Sequence, residues 1–198
     1  KLFKNKPLIA WTIEQAQKCK YNMKIIVSTD SEIYKNIALK YCAEVPFLRP
    51  YNISQDLSTD YEFITHCTNW LKNNENYYPD IIVQLRPTQP CRKIETINEC
   101  LDIFIKNYNE YDSLRSVVEN EKSPYKMYTI NNNNLTPLFK SVNNFNESFN
   151  QPRQILPLCY LHNGYIDILK ASILKDNTIS GNKIYPYIMN KNDTIDID

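Results

Sequence analysis

Two aspartates near the end of the sequence could bind a metal ion. Asp196 and Asp198 lie in the run DTIDID, residues 193–198. If this run is extended, the alternation of side chains places both carboxylates on one face and the isoleucines on the other. Mg²⁺ in proteins usually takes one or two carboxylates together with substrate phosphates and water. The spacing therefore suits a magnesium–nucleotide site, and the alternative is a solvated acidic tail.

Several arginines follow predicted strands and could bind an anionic ligand. Arg86 and Thr88 stand in the turn RPTQP, residues 86–90, directly after the apolar run 80–85, and Arg49 follows the run 44–48. A guanidinium at such a place can bind a carboxylate or phosphate through two hydrogen bonds, or it can form a structural ion pair. Arg153, in the run QPRQ, is by residue type alone a surface residue.

The polar cluster Ser58, Thr59 and Asp60 precedes a predicted helix and also has two interpretations. It could cap the helix, or it could recognise the edge of a nucleotide base. His162 beside Asn163-Gly164 indicates a turn. Neither His66 nor His162 has a suitably placed serine or cysteine partner, so the sequence does not support a hydrolase triad.

Composition restricts the class of protein. The chain has 198 residues, a net charge of +1 and only two glycines. This small net charge does not favour binding to nucleic acid or to an acidic membrane surface. No apolar run approaches the roughly 18–20 residues that span a bilayer. The six cysteines have no C-x-x-C spacing, so we expect reduced thiols in a cytoplasmic protein and no zinc site. A glycine-rich phosphate loop cannot be built from these residues.

Apolar patterns predict alternating strands and helices. We expect strands at 24–28, 44–48, 80–85 and 113–118, with helices at 7–20, 31–41, 61–73 and 93–107. This alternation is typical of βαβ units in a mainly parallel α/β sheet, whose ligands bind at the carboxyl ends of the strands. Residues 123–160 interrupt this alternation of strands and helices and are predicted to form an inserted arm. The alternation returns at 164–169 and 183–189.

Nine runs of the sequence, taken together, resemble a known family, the N-acylneuraminate cytidylyltransferases (CMP-sialic acid synthetases) and their relatives for legionaminic and other nonulosonic acids. The runs follow one another along the whole chain: KPLIAWTIEQA, IIVSTDSE, VPFLRP, LRPTQPCR, DSLRSV, SPYKMY, NQPRQILP, NGYIDI and DTIDID. The resemblance implies one Rossmann-like, three-layer nucleotidyltransferase domain over residues 1–198, with 123–160 as a dimerisation arm. It implies a homodimer that uses CTP and Mg²⁺ to form a CMP-activated nonulosonic sugar and pyrophosphate.

The resemblance also implies roles for individual residues. Asp196 and Asp198 would be the catalytic, metal-binding pair. Arg49, Ser58, Thr59 and Asp60 would bind the nucleotide. The sugar-binding residues would be Arg86, Thr88, Gln89, Arg153, Asn163 and Asp167, with Arg153 reaching into the site of the partner subunit.

The sequence departs from the family pattern in three ways. The family begins with a strand and a basic, glycine-containing phosphate loop, whereas this sequence starts just after the expected position of that loop. We therefore expect either a fragment or a non-catalytic, dimeric nucleotide- or sugar-binding relative. Arg86 and Asp167 replace residues found in several sialic acid enzymes, which suggests a different nonulosonic acid. An enzyme for the eight-carbon acid Kdo is a further alternative, against which QPRQ and NGYIDI argue.

Overall fold

The computed structural model describes residues 1–197, and Asp198, one half of the predicted metal pair, lies outside the described residues. The four helices are α1 (Leu8–Gln17), α2 (Glu32–Lys40), α3 (Asp60–Glu75) and α4 (Ile94–Lys106). The strands are β1 (Leu2–Phe3), β2 (Lys6–Pro7), β3 (Ile81–Gln84), β4 (Ser113–Glu119), β5 (Tyr128–Asn131), β6 (Asn134–Pro137), β7 (Ser141–Val142), β8 (Phe145–Asn146), β9 (Tyr160–Lys170) and β10 (Ile184–Met189). The mixed α/β class is therefore confirmed.

Two helices begin where capping residues predict that they should. The Ser31 side chain accepts a hydrogen bond from the amide of Tyr34 at the start of α2. Thr59 and Glu62 form a capping box at the start of α3, in which each side chain binds the backbone of the other residue. Such caps satisfy amides that have no partner inside the helix. The capping interpretation of Thr59 is thus correct.

The central sheet has the strand order β10-β4-β9-β3. Strand β10 is parallel to β4, whereas β9 is antiparallel to both β4 and β3. Three of the four strands consequently run in one direction, which agrees with the expectation of a mainly parallel sheet. The long strand β9 is the exception, because the chain enters it from the arm rather than through a crossover helix.

The strands predicted at 24–28 and 44–48 are not formed as regular strands. These segments are joined by one parallel bridge between Ile26 and Glu44, supported by the hydrogen bonds Val27 N to Glu44 O and Glu44 N to Ile25 O, both 2.9 Å. A strand in the middle of a sheet has partners along both edges. The 24–28 segment and β3 line the same cavity, and within residues 1–197 no regular strand pairs with the 24–28 segment.

Helices cover both faces of the central sheet. Alternate residues of β9 point to opposite faces, so that Ile166 and Ile168 pack with α4, while Leu169 packs with Ile64 of α3. The arrangement is three layers, with the sheet in the middle. It also fixes the direction of Asp167, which lies between Ile166 and Ile168 and points to the same side of β9 as Leu169.

The predicted arm consists of two small hairpins. Strands β5 and β6 pair around Asn132 and Asn133, and β7 and β8 pair around Asn143 and Asn144. All four of these asparagines have positive φ values between 46° and 67°. Two consecutive residues of positive φ produce the tight hairpin turn that matches the twist of the strands, and asparagine tolerates this conformation.

Among residues 1–197, none of the helices has the length and hydrophobicity needed to cross a membrane.

The packing of α4 on the sheet leads to a stability prediction. Phe104 is completely buried, whereas the neighbouring Ile105 is 42% exposed. Phe104→Ala should reduce the free energy of unfolding by about 3–5 kcal/mol, because it leaves a cavity in a close-packed core. Ile105→Ala, the matched control, should cost less than about 1 kcal/mol. Urea unfolding of both variants measures the difference, and equal losses would contradict the proposed packing.

Candidate functional site

A bulge in β9 shapes the site. Arg115 of β4 faces Asp167, and Val117 faces His162, so four residues of β9 stand opposite Ser116 alone. The buried Ser116 hydroxyl stabilises the bulge by donating to the Asn163 Oδ1 atom at 2.6 Å and accepting from the Ile166 amide at 2.9 Å. A bulge redirects side chains near functional sites.

Gly164 within the bulge occupies a conformation that other residues rarely adopt. Its φ is +64°, and a Cβ atom placed there would stand 3.4 Å from the Cδ atom of Arg86. Glycine therefore allows the left-handed backbone, whereas a Cβ atom at this distance would make only ordinary van der Waals contact with the Arg86 side chain.

The Asp167 carboxylate is the centre of a charged network. It is almost completely buried and accepts hydrogen bonds from Arg86 Nη1 at 2.6 Å and from His162 Nε2 at 2.8 Å. Arg115 Nε lies 4.0 Å away on the neighbouring strand. Arg86 Nη2 in turn binds the carboxylate of Asp60 at 2.5 Å. The network thus joins β9, β4, the start of α3 and the loop after β3.

The network keeps Asp167 ionised despite its burial. Burial by itself raises the pKa of the Asp167 carboxyl, but the hydrogen bonds from His162 and Arg86 outweigh it, and the pKa is lowered from its ordinary value. Bonds to a charged form favour that form. Asp167 is consequently a fixed negative charge beside two arginines.

The proline-rich loop 86–90 is held to the bulge by buried polar side chains. Arg92 is 5% exposed and donates to the carbonyl oxygens of Tyr165, Gln89 and Arg86. Gln89 is 2% exposed and donates from Nε2 to the Asn163 carbonyl oxygen at 3.0 Å. Gln89 and Asn163, both predicted to bind a sugar, are therefore engaged in holding this loop and the bulge together.

The carboxyl-terminal segment docks on the same loop. The amide of Ile197 donates to the carbonyl oxygen of Thr88 at 2.9 Å, and Lys93 Nζ binds Asp193 at 2.6 Å. These contacts place the exposed Asp196 next to the proline-rich loop. Within residues 1–197, His, Cys, Asp and Glu side chains do not gather in any group of three or more that could hold a metal. Asp196 is a suitable metal ligand only in combination with Asp198 or with groups of a substrate.

The residues predicted to bind the nucleotide, Arg49 and 58–60, follow the 44–48 segment along the chain. Arg49 Nε donates to Ser54 Oγ at 3.0 Å, and its guanidinium stacks over the ring of Phe63 at 5.6 Å. Ser58 Oγ accepts the Gln55 amide at 2.8 Å, and Thr59 caps α3. Ser58 and Thr59 thus have local structural partners. Asp60, the next residue, points away from them to Arg86.

Arg153 is not brought to this cluster by the fold of one chain. It is an exposed residue at the start of a short 3-10 helix, Arg153–Ile155, that follows the hairpins. Its predicted role depends on a second subunit.

A cavity of about 750 Å³ is lined by the 24–28 segment, by β3 and by Arg49, Asp60, Arg86 and Thr88. Residues of α1 and α3 also contribute to its walls. Within residues 1–197, β3 pairs with β9 along one edge, while the edge that borders the cavity has no strand partner.

Sequence reasoning missed two members of the charged network, His162 and Arg115. Residues five apart in a regular strand point to opposite faces, so nothing in the spacing links His162 to Asp167. The bulge adds the residues that bring them together. The available signal is the pair Asn163-Gly164, which favours positive φ and indicates a turn; in the structure it forms a bulge within β9.

The fold and the site together define a class: an α/β protein with ionic and polar side chains gathered at strand ends, where such sheets bind ligands. Residues 1–158 match the cytidylyltransferase family, and the chain belongs to that family.

Individual relatives agree with this assignment. The chain is 29% identical over 195 residues to an N-acylneuraminate cytidylyltransferase of Escherichia coli, which covers 98% of this chain and 43% of the relative. It is 38% identical over 106 residues to the CMP-N,N'-diacetyllegionaminic acid synthase of Legionella pneumophila, covering 52% of this chain and 44% of the relative. The chain thus spans less than half the length of either protein.

A solved structure supports the fold. A CMP:2-keto-3-deoxy-manno-octonic acid synthetase complexed with CTP superimposes with a TM-score of 0.64, covering 96% of this chain and 81% of the other. The two sequences are 12% identical, so this likeness concerns the fold alone.

The buried carboxylate leads to a second prediction. Because the folded-state pKa of Asp167 lies below its ordinary value of 3.8, its ionic bonds stabilise the protein above that pH. This contribution is lost as the pH falls through the lowered pKa. Asp167→Asn should cost about 3 kcal/mol of unfolding free energy at pH 7, since it removes the buried counter-ion of the half-buried Arg86.

Urea unfolding at several pH values measures this effect. The difference between the wild type and Asp167→Asn should shrink in acid. The exposed Asp56 provides the control, because Asp56→Asn should change stability by less than about 0.5 kcal/mol. A constant difference at every pH would contradict the assignment of charge to Asp167.

Proposed function

We propose that the protein is a CTP-dependent cytidylyltransferase that forms a CMP-activated nonulosonic, sialic-acid-like sugar. The observation that carries this proposal is the docking of the carboxyl-terminal segment on the Thr88 carbonyl, which brings Asp196 beside the loop that carries Arg86. A carboxylate suited to magnesium and a guanidinium suited to an acidic sugar then border one ligand site.

In the proposed reaction, the anomeric hydroxyl oxygen of the sugar attacks the α-phosphorus of CTP. A new phosphorus–oxygen bond forms, the bond to the bridging oxygen breaks, and pyrophosphate leaves while the hydroxyl proton passes to solvent. Such a transfer depends mainly on positioning and on neutralising charge. On this proposal Arg49 and residues 58–60 contribute to the nucleotide side. Arg86, Thr88 and Asp167 contribute to the sugar side, while Gln89 and Asn163 hold the loop in place.

Asp196 and Asp198 are the residues that would hold Mg²⁺. The exposure of Asp196 fits this role, because a carboxylate open to solvent can share a metal with substrate phosphates and water. When bound, Mg²⁺ would neutralise charge on the triphosphate and its leaving group.

We also infer that the complete site includes a further extended segment with a phosphate-binding loop. The cavity beside β3 supports this, because within residues 1–197 β3 pairs with β9 alone and the lining of the cavity is mostly apolar. A strand that precedes α1 and lies in this cavity would form a right-handed crossover through α1 to the 24–28 segment. Its carboxyl end would then point toward Arg49 and Arg86.

The arm supports the proposal of a homodimer. Its hairpins expose Ile130 by 73% and Leu135 by 67%, and exposed apolar residues that cluster favour burial against another protein surface. A symmetric pairing of two arms could bring Arg153 of one subunit to the sugar side of the other. A cytoplasmic location and the absence of nucleic acid partners remain part of this proposal.

The reaction can be tested with the full-length gene product, including any segment encoded upstream. Incubation with CTP, Mg²⁺ and a panel of nonulosonic acids should release pyrophosphate, and Asp198→Ala should lower kcat by at least about a hundredfold without changing the unfolding transition. Asp176→Ala changes another exposed aspartate and should leave kcat unaltered.

The outcomes separate the alternatives. No pyrophosphate with any nonulosonic acid would refute the proposal, and CTP binding without turnover would favour a non-catalytic relative. Turnover with Kdo alone would identify the eight-carbon sugar as the substrate. An active Asp198→Ala protein would refute the metal role.

Mixing of inactive subunits tests the role of Arg153. Arg153→Ala and Asp196→Asn proteins should each be nearly inactive. If Arg153 acts across the dimer, a mixed dimer holds one intact site, and equal mixing after subunit exchange should restore about a quarter of wild-type activity. Recovery should be absent if Arg153 serves its own subunit, and the same mixture without exchange is the control.

A further inference from the structure

Arg86 is bound by two carboxylates that differ in their access to solvent. Its Nη1 atom binds Asp167 and its Nη2 atom binds Asp60, at 2.6 and 2.5 Å. The side chain of Asp167 is 6% exposed, whereas that of Asp60 is 34% exposed. A dissolved anion can therefore reach Arg86 at the position of Asp60 and not at the position of Asp167.

The two carboxylates also differ in how firmly they are held. Asp167 is fixed by His162 as well as by Arg86, and Arg115 stands next to it. Within residues 1–197, the side chain of Asp60 hydrogen-bonds to Arg86 alone. The Arg86–Asp60 pair is partly exposed, and an ion pair contributes less net free energy the more it is exposed to solvent.

The charges of Arg86, Arg115, Asp60 and Asp167 show how the net charge around Arg86 would change if Asp60 left it. Arg86 and Arg115 carry two positive charges, which Asp60 and Asp167 balance when His162 is neutral. Without Asp60, the remaining three groups have a net charge of +1. Arg115 makes the binding of an anion here more favourable, because its buried Nε atom has no hydrogen-bond partner among the described residues.

Asp60 keeps a favourable position after leaving Arg86. It is the first residue of α3, where the amide groups and the helix dipole favour a negative charge. It also borders the cavity that Arg86, Arg49 and Thr88 line, so a displaced carboxylate would stay solvated. Its release from Arg86 consequently costs less than the removal of Asp167 would.

We propose that Asp60 is an internal, displaceable counter-ion of Arg86, which the carboxylate of the acidic sugar replaces on binding. This inference rests on the proposed function, since it requires an acidic sugar as ligand. Asp167 then acts as a positioning residue that keeps the guanidinium directed into the site. Asp60 sets the affinity for the sugar acid by competing for the Nη2 donor of Arg86, while Asp167 keeps Nη1.

Calorimetric titration of the full-length protein tests the competition. N-acetylneuraminic acid and N,N'-diacetyllegionaminic acid serve as probes, each compared with its C1 methyl ester. Asp60→Asn removes the charge but keeps the shape, and it should lower the Kd of the free acids by about three- to tenfold, the range expected for loss of a partly exposed ionic competitor. The methyl esters should bind both proteins equally, and the exposed Asp56→Asn is the matched control.

A double-mutant cycle locates the effect at Arg86. In an Arg86→Gln background, Asp60→Asn should no longer change the Kd of the acids, because the guanidinium for which Asp60 and the sugar carboxylate compete is absent. Equal or weaker binding of the acids to Asp60→Asn would overturn the inference and leave the proposed function intact. Absence of binding to the wild type and to every variant, together with no pyrophosphate release from the whole panel of nonulosonic acids, would overturn the proposed function together with the inference.

Discussion

The buried carboxylate of Asp167 is the interaction on which the rest of the site depends. An ionised carboxylate is costly to bury unless it is paired and hydrogen-bonded. Here Arg86 and His162 meet that requirement, with Arg115 close by. Since these partners come from separate parts of the chain, one charge fixes the relative positions of β9, β4 and the loop after β3.

The bulge in β9 and the proline-rich loop act as one unit. Arg92 and Gln89 donate to the carbonyl groups of Tyr165 and Asn163 in the bulge, and the Ser116 hydroxyl accepts the Ile166 amide from the opposite strand. Burial lowers the pKa of Arg92 to about 10, which still leaves it charged at neutral pH. The loop that carries Arg86 and Thr88 is thus supported from within and does not depend on a bound ligand.

The two carboxylates that bind Arg86 differ, because Asp167 is firmly held whereas Asp60 is proposed to be displaceable. A site that binds an anion needs a positive group that is already oriented, since orienting it during binding costs entropy. It also needs a neutral resting state, since an unpaired, half-buried charge is unfavourable. A firmly held Asp167 and a partly exposed Asp60 meet these two requirements with two residues of the same chemical type.

The sequence by itself determined the elements and the family. Periodicity located all four helices and the strands 81–84, 113–119 and 184–189, because local spacing of apolar residues reflects which faces are buried. The sequence motifs and the family resemblance predicted Arg86, Asp167 and Asp196 as site residues. Which of them contact one another was decided only by tertiary structure. The antiparallel direction of β9, its bulge and the pairing of Asp60 with Arg86 arise from contacts between distant segments, and the spacing of residues along one chain does not encode such contacts.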